Sequence, residues 1–145
     1  MSAGLLQRVS AWWRNFRSVP EKFPGIRVKG LANDGILLWD GDCGFCAAMV
    51  EKMKKFVPRP FSETPYQAIS DKLPADVLNW STRQAHWVDS EGRVSGGSAA
   101  VVELLRSSGR PWLAAILGSA LFRPFLWLAY RLVAIHRGWL AKFVK

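Results

Sequence analysis

The chain is poor in cysteine: Cys43 and Cys46 are the two thiols among its 145 residues. Two cysteines cannot form the disulfide framework of a small secreted domain. A bridge between residues so close in sequence would also restrict the unfolded chain little, because it closes a very short loop. A structural disulfide therefore accounts poorly for the pair, and the close spacing favours redox chemistry or metal binding in a reducing compartment.

The sequence also shows no pattern typical of a secretory signal peptide or of a membrane-spanning helix. Residues 1–8 show no long apolar run before a small-residue cleavage site. Residues 111–122 are uncharged, but Arg123-Pro124 interrupts them before residues 125–144, so no run reaches the roughly 20 apolar residues that a span requires. We expect a cytoplasmic protein whose residues 111–144 form two helices, one covering the domain core and one amphipathic.

Acidic residues are absent from residues 106–145, which carry seven Lys and Arg. Residues 1–30 carry six basic residues and one acid, and residues 31–105 carry seven and ten, so the net charge of +9 comes from the two ends. Five of the eight tryptophans also lie there: Trp12, Trp13, Trp112, Trp127 and Trp139. The simplest interpretation is helices with solvated charges that cover the core. The alternative is contact with an anionic membrane surface or a membrane protein.

The N-terminal segment has apolar side chains at helical spacing, which Pro20 and Pro24 interrupt. The spaced residues are Leu5, Leu6, Val9, Trp12, Trp13 and Phe16. We therefore predict a basic amphipathic helix and a linker over residues 1–30. A domain that includes the C-terminal helices follows over residues 31–145.

Both cysteines lie where a run of consecutive apolar residues is followed by apolar residues at helical spacing. Residues 36–39 are four apolar residues in a row, which favours a strand buried on both faces. After Gly44 the apolar residues follow a helical period, and Pro58 ends the run. These residues are Cys46, Met49, Val50, Met53, Phe56 and Val57. The sequence thus predicts a buried strand, a turn that carries the cysteines, and an amphipathic helix.

The segments that follow complete an α/β domain. The pattern predicts a strand at 61–68, a short helix at 74–80, a strand at 85–89 that turns into another at 93–94, and a helix after Gly97-Ser98. A βαβ unit followed by a ββα unit is the layout of a thioredoxin-like fold. The fold prediction is therefore this core, with an N-terminal amphipathic helix and two extra C-terminal helices.

The run Cys43-Gly44-Phe45-Cys46 meets the needs of a dithiol that cycles between reduced and bridged forms. A two-residue spacer at a helix start brings the sulfurs close enough to join, and we expect Gly44 to let the turn close. The helix N terminus stabilises a thiolate and lowers a thiol pKa from about 8.5 into the range of about 3.5 to 7.5. We predict that Cys43 attacks and that Cys46 resolves.

Two carboxylates, Asp40 and Asp42, stand directly before the cysteines. A nearby negative charge opposes thiolate formation, so both side chains need another role. We expect Asp42 to cap the helix N terminus. Asp40, at the end of a buried strand, is expected to accept a proton from Cys46.

Residues 40–46 (Asp-Gly-Asp-Cys-Gly-Phe-Cys) resemble the D-G-x-C-x-x-C signature of the DCC family of thiol-disulfide oxidoreductases, which have a thioredoxin-like fold. Residues 89–94 and 97–100 are similar to that family's hairpin and its "G-S-x-A" helix start, and residues 130–137 to its closing "Y-x-x-V-A-x-x-R" segment. The resemblance covers roughly residues 35–140. It implies that Asp40, Cys43 and Cys46 occupy signature positions and that the C-terminal helices belong to the domain.

One departure from thioredoxin itself concerns the substrate. Thioredoxins place a cis-proline before the strand that corresponds to residues 85–89, where it holds a substrate chain beside the cysteines. In this sequence Thr82, Arg83 and Gln84 stand there instead.

Three further interpretations compete for the same residues. Asp40-Gly41-Asp42 also looks like the D-x-D of aspartate-nucleophile phosphatases, which need a further acidic pair that the sequence does not show. A zinc site needs four ligands, and the chain offers only the cysteines with two distant histidines, His86 and His136. Two cysteines can also simply pack at a helix start.

The sequence therefore predicts an enzyme, a thiol-disulfide oxidoreductase, with Cys43, Cys46, Asp40 and Asp42 as candidate catalytic residues and no cofactor or metal. Its partner would be a thiol or disulfide substrate, and nucleic acid is not expected because no binding motif is visible. The alternative is a non-catalytic interaction module that docks on the cytosolic face of a membrane or on a membrane protein. A phosphatase is the weaker alternative.

Overall fold

The structure is a computed structural model that describes residues 3–17 and 19–143. Residues 1, 2, 18, 144 and 145, which the predicted N-terminal segment and C-terminal helices include, lie outside the described residues, as does the side chain of Phe16. The helices are α1 (Ala3–Arg17), α2 (Gly44–Phe56), a 3₁₀ helix (Tyr66–Lys72), α3 (Ala75–Ser81), α4 (Ser98–Ser107), α5 (Pro111–Leu117) and α6 (Arg123–Leu140). The strands are β1 (Lys22–Arg27), β2 (Ile36–Trp39), β3 (Ser62–Pro65), β4 (His86–Val88) and β5 (Arg93–Gly96).

The five strands form one mixed sheet in the order β1-β5-β4-β2-β3. β2 and β3 run parallel and are joined through α2, while the β2–β4, β4–β5 and β5–β1 pairs are antiparallel. The predicted succession of strand, helix, strand, helix, strand, strand and helix is confirmed. The architecture is consistent with a thioredoxin-like fold, and it places β2 inside the sheet with α2 directly after it.

β1 corrects one part of the sequence analysis, which predicted a linker before residue 31. Residues 22–27 instead form an edge strand on β5, and their register shifts between Lys22 and Arg27. An edge strand tolerates Pro24, because the side of the strand that lacks a partner needs no N–H donor. Phe23 is buried in the core. The division of the chain at residue 30 stays a prediction.

The core lies on both faces of the sheet because successive strand residues point to opposite sides. Ile36 and Leu38 of β2 pack on one face with the 3₁₀ helix and α3. Leu37 packs on the other face with Val50 of α2 and Trp87 of β4. β2 is therefore buried on both faces, as its four consecutive apolar residues predict.

The inward face of α2 differs in detail from its predicted face. Val50 and Val57 are buried as expected, but Phe56 is 48% exposed. The ring of Phe56 lies at the last residue of the helix, with the Arg110 guanidinium 5.0 Å from its centroid. Phe45, which the helical pattern left out, is buried at the start of α2.

The C-terminal region forms two helices, as predicted. α5 packs on α4, where Ala114 contacts a buried cluster that includes Val102 and Leu105. α6 contacts both α2 and α4. Within residues 3–17 and 19–143, no helix is both long enough and apolar enough to span a membrane.

Candidate functional site

The two cysteines lie at the carboxyl end of β2, where the chain leaves the core. Cys43 immediately precedes α2 and Cys46 lies in its first turn. They form a disulfide, with their Cα atoms 5.2 Å apart, and both residues are half-buried. A buried strand on one side and a helix anchored by Phe45 and Val50 on the other fix the position of the pair.

Cys43 itself caps α2. Its Sγ accepts a hydrogen bond from the backbone N–H of Cys46, with a donor–acceptor distance of 3.2 Å. The expectation that Asp42 would cap this helix is therefore wrong: the Asp42 carboxylate lies outside the helix and accepts from the Gln67 side chain at 3.3 Å. An N-cap sulfur faces the unpaired N–H groups of the first turn, which is where a thiolate is stabilised.

Gly41 lets the loop before the cysteines lie close against the end of β3. A Cβ atom on Gly41 would be 2.9 Å from Pro65 Cβ and 3.1 Å from Gln67 Oε1. The backbone N–H of Gly41 donates to that Gln67 oxygen at 3.0 Å. Gly44, in contrast, has open space around it and no positive φ, so the expected role of Gly44 in closing the turn is not required by the geometry.

Asp40 is the centre of a hydrogen-bond network behind the cysteines. Its Oδ1 accepts from Gln67 Nε2 at 2.7 Å and from the Asp42 backbone N–H at 3.0 Å. Its Oδ2 lies 3.6 Å from Arg137 Nη2. The backbone carbonyl of Asp40 also accepts from the N–H of Cys43 at 3.1 Å, so the carboxylate is tied to the turn that holds the first cysteine.

Arg137 is a site residue that the sequence analysis did not select. Its Nη1 lies 3.8 Å from Cys46 Sγ, and its Nη2 donates to the backbone carbonyl of Thr82 as well as pairing with Asp40. One guanidinium thus joins a cysteine, a carboxylate and the loop after α3. The side chain is about a quarter exposed, so it reaches solvent beside the disulfide.

Tyr130 explains how α6 brings Arg137 to the cysteines. The Tyr130 hydroxyl accepts a hydrogen bond from the backbone N–H of Ala85 at 2.9 Å, which fixes α6 to the start of β4. Seven residues are about two helical turns, so Tyr130 and Arg137 lie on the same side of α6. Residues 130–137 resemble the closing "Y-x-x-V-A-x-x-R" segment of the family, and this resemblance was the sequence signal that could have pointed to Arg137.

Charge at the site is mixed rather than purely acidic. Burial raises the pKa of Tyr66, and the carboxylates of Asp40 and Asp42 raise it further, while Arg137 acts in the opposite direction. The same carboxylates would oppose a thiolate at the cysteines. Arg137 supplies the positive charge that sequence reasoning could not place there.

In the described part of the chain, neither histidine takes part in the hydrogen bonds around the disulfide. His86 is fully buried in β4, and burial lowers its pKa to about 4. His136 is exposed on α6, and its Nδ1 lies 2.8 Å from the Leu132 carbonyl. Across the part of the chain that the structure describes, no three His, Cys, Asp or Glu side chains group as metal ligands.

The sheet order and the Cys-x-x-Cys disulfide at the N terminus of α2 are those of a thioredoxin-like protein. A sequence-family model for DCC1-like thiol-disulfide oxidoreductases matches residues 37–142, which is well over half of the chain. The chain therefore belongs to the DCC1-like thiol-disulfide oxidoreductase family. No curated protein and no solved structure matches the chain.

Proposed function

We propose that the protein is an enzyme that exchanges Cys43 and Cys46 with a thiol or disulfide substrate. The observation that carries this proposal is the position of Cys43 Sγ at the N terminus of α2, where it accepts the N–H of Cys46 and lies within bonding reach of the second sulfur. Family membership supports the same activity. In a reducing compartment such as the cytosol, a close Cys pair is more often catalytic than structural.

The exchange begins at Cys43. Its thiolate attacks one sulfur of a substrate disulfide, the substrate S–S bond breaks, and one substrate thiolate leaves and takes up a proton. The Cys46 thiolate then attacks Cys43 Sγ, and the second substrate thiolate leaves. Two electrons pass from the protein dithiol to the substrate, and the protein ends with the Cys43–Cys46 bridge. The reverse sequence oxidises substrate thiols.

Asp40, Asp42 and Arg137 act as positioning residues in this proposal. Arg137 lies between Asp40 and Cys46, so its charge offsets the effect of the carboxylate on the resolving thiol. Asp40 and Asp42 share the Gln67 amide, which holds the turn in place. Transfer of a proton from Cys46 to Asp40 stays a prediction that the pH dependence of exchange tests.

Trapping of the mixed disulfide tests the assignment of the two cysteines. Reduced Cys46→Ser, incubated with hydroxyethyl disulfide, should accumulate a stable adduct on Cys43, because no second thiol releases it. The matched variant Cys43→Ser should form the adduct at least tenfold more slowly, since Cys46 lacks the cap position. Mass spectrometry reads the adduct. Equal rates for the two variants would contradict the assignment.

A second candidate function, peripheral docking on an anionic membrane, is favoured by the outer face of α6. An apolar stripe of five exposed residues follows the helical period there, and Phe125 is 67% exposed. The stripe consists of Phe125, Leu128, Leu132, Ile135 and Trp139. At about 100° per residue, it lies on the side of α6 opposite Tyr130 and Arg137. The surrounding basic residues, with no acid after residue 105, suit an anionic lipid surface.

Vesicle sedimentation tests this second candidate. The protein should sediment with anionic vesicles, should be released by salt, and should stay in solution with neutral vesicles. Phe125→Asn should reduce the bound fraction, whereas Phe56→Asn, which changes an exposed aromatic residue on α2, should not. Sedimentation with neither kind of vesicle would contradict membrane docking.

A further inference from the structure

A cleft lies beside Arg137, whose guanidinium contacts the disulfide. It has a volume of about 450 Å³ and opens between α1, the loop after α3, and α6. Trp12, Thr82, Arg83, Arg131 and Arg137 contribute to its walls. Small-molecule sites in proteins typically occupy about 300–1,000 Å³. The cleft therefore has the size to hold a small molecule.

The walls of this cleft are strongly basic. Three arginines, Arg83, Arg131 and Arg137, line it, and none of its lining residues in the described chain is acidic. Burial lowers the pKa of Arg131, and the charge of Arg83 lowers it as well, while Tyr130 and Glu21 act in the opposite direction. Like charges gathered in a concave surface create a field that concentrates anions.

Acidic groups near the cleft are already engaged. Asp40 pairs with Arg137 and accepts from Gln67. Glu21 accepts from both the backbone N–H and the hydroxyl of Ser98. Even with both carboxylates counted against the three guanidinium groups, the balance of charge is positive.

Arg137 connects the cleft to the reactive sulfurs. It forms part of the cleft wall, and its Nη1 lies 3.8 Å from Cys46 Sγ. Thr82, whose carbonyl accepts from Arg137, lies in the same wall. A molecule that fills the cleft thus ends against the side chain that also contacts the disulfide.

We propose that this cleft binds the carboxylates of a small thiol or disulfide, about the size of a tripeptide, whose sulfur exchanges with Cys43. The inference rests on the proposed function. Guanidinium groups suit carboxylates because they donate two parallel hydrogen bonds. In the sequence, Thr82 and Arg83 precede β4 where thioredoxins have a cis-proline that holds a protein substrate, and here both residues line the basic cleft instead.

The chemical step is thiol-disulfide exchange with the anionic disulfide as oxidant. The Cys43 thiolate bonds to one sulfur of the bound disulfide, the S–S bond breaks, and an anionic thiolate leaves and takes up a proton. Cys46 then displaces the second thiolate. The protein dithiol loses two electrons, and the substrate disulfide becomes two thiols, which leave the cleft.

Three disulfides of different charge test this substrate class. Reduced protein is mixed with glutathione disulfide (anionic), hydroxyethyl disulfide (neutral) or cystamine (cationic), and single-turnover rates are followed by mass spectrometry. Arg83→Gln should slow the reaction with glutathione disulfide about fivefold, as expected for one charge contact in water. It should leave hydroxyethyl disulfide unchanged and should not slow cystamine. Arg83→Lys should recover part of the lost rate.

Arg59→Gln is the matched control, because it removes the same charge from an exposed residue outside the cleft wall. It should leave all three rates unchanged. Equal slowing of all three disulfides by Arg83→Gln would overturn the inference, since the arginine would then act on the dithiol and not on the substrate. Equal loss in Arg59→Gln would overturn it as well.

A binding measurement separates this inference from the proposed function. S-methylglutathione carries the same carboxylates but cannot exchange, so calorimetry with the oxidised protein reports the cleft alone. Binding weakened about fivefold in Arg83→Gln supports the anion site even if exchange fails. Absence of binding to the wild-type protein overturns it even if hydroxyethyl disulfide reacts. No reaction with any disulfide would instead refute the redox function.

Discussion

At the scale of single residues, the site depends on a few side chains that hold one turn of backbone. The Gln67 amide accepts from the N–H of Gly41 and donates to the carboxylates of Asp40 and Asp42. These bonds place the turn before Cys43 so that its sulfur meets the N terminus of α2. Residues that never contact the sulfurs therefore determine where a sulfur lies.

The two glycines of the site should respond differently to an added methyl group. Gly41→Ala would press a Cβ against Pro65, so we expect the free energy of unfolding to fall by about 1–3 kcal/mol and exchange to slow. Gly44→Ala meets open space in α2 and should leave stability equal or raise it by about 0.5–1 kcal/mol. Urea unfolding of both variants measures the difference. Equal destabilisation would contradict the geometry.

Asp40→Asn distinguishes an electrostatic role from proton transfer. The carboxylate lies with Arg137 beside Cys46, and its negative charge opposes a thiolate. Loss of that charge should move the pH profile of alkylation and exchange to lower pH while the maximal rate is kept. A proton-acceptor role predicts instead a fall in the maximal rate of about a hundredfold. An unchanged profile and rate would leave Asp40 with neither role.

His86 should make stability depend on pH. It is fully buried in β4, with Ser81 Oγ 3.5 Å from Nδ1 and Gln84 Nε2 3.4 Å from Nε2, and its pKa is lowered to about 4. Below its usual value of 6.5 the unfolded chain binds a proton that the folded protein excludes. The free energy of unfolding should therefore fall by about 3 kcal/mol as the pH drops from about 6.5 to about 4.

Urea unfolding across this pH range measures that loss. In His86→Gln this part of the slope should disappear. The matched variant His136→Gln changes an exposed histidine and should keep the wild-type slope. A slope that survives in His86→Gln would show that other groups cause it.

At the scale of elements, the junction of β2 and α2 could be predicted because its signals are local. Four apolar residues in a row, then a helical period from Cys46 onward, fix the strand, the turn and the helix. β1 could not be predicted in this way, because Pro24 is compatible with a strand only at a sheet edge, and edge position is a property of the whole sheet. The predicted strand at 61–68 likewise ends at Pro65, where the 3₁₀ helix begins.

The partners of the cysteines were even less accessible to sequence reasoning. Asp40 adjoins the motif, but Arg137 is distant in sequence and reaches Cys46 only because α6 packs on α2. Gln67 follows β3 and meets Asp40 through the parallel pairing of β2 and β3. Such contacts arise from topology, which a one-dimensional pattern does not carry.

Tyr130 tests whether the docking of α6 matters for the site. Tyr130→Phe leaves the backbone N–H of Ala85 without its acceptor, so the free energy of unfolding should fall by about 1–3 kcal/mol. Thiol-disulfide exchange should also slow, because α6 would no longer hold the Arg137 guanidinium beside Cys46. Tyr66→Phe, which removes a hydroxyl that bonds to no described residue, is the control for urea unfolding. Equal effects in both variants would contradict the anchoring role.

At the scale of the whole molecule, α6 lies between the disulfide on one side and an exposed apolar stripe on the other. The sheet and its helices hold the disulfide at the carboxyl end of β2. The inner side of α6 brings Arg137 to the cysteines, and its outer side exposes an apolar stripe. The basic ends account for the net charge of +9. One helix thus links the proposed chemistry, the basic cleft and the proposed membrane surface.

A redox titration of Cys43 and Cys46 against glutathione buffers tests the central claim most directly. The alkylated fraction is read by mass spectrometry, with Cys46→Ser as the control that cannot close the bridge. We predict that the pair closes reversibly, with a midpoint within the range of cytosolic potentials, roughly −200 to −320 mV. Thiols that stay reduced across this range, and that alkylate only as slowly as an ordinary thiol of pKa about 8.5, would contradict the redox function.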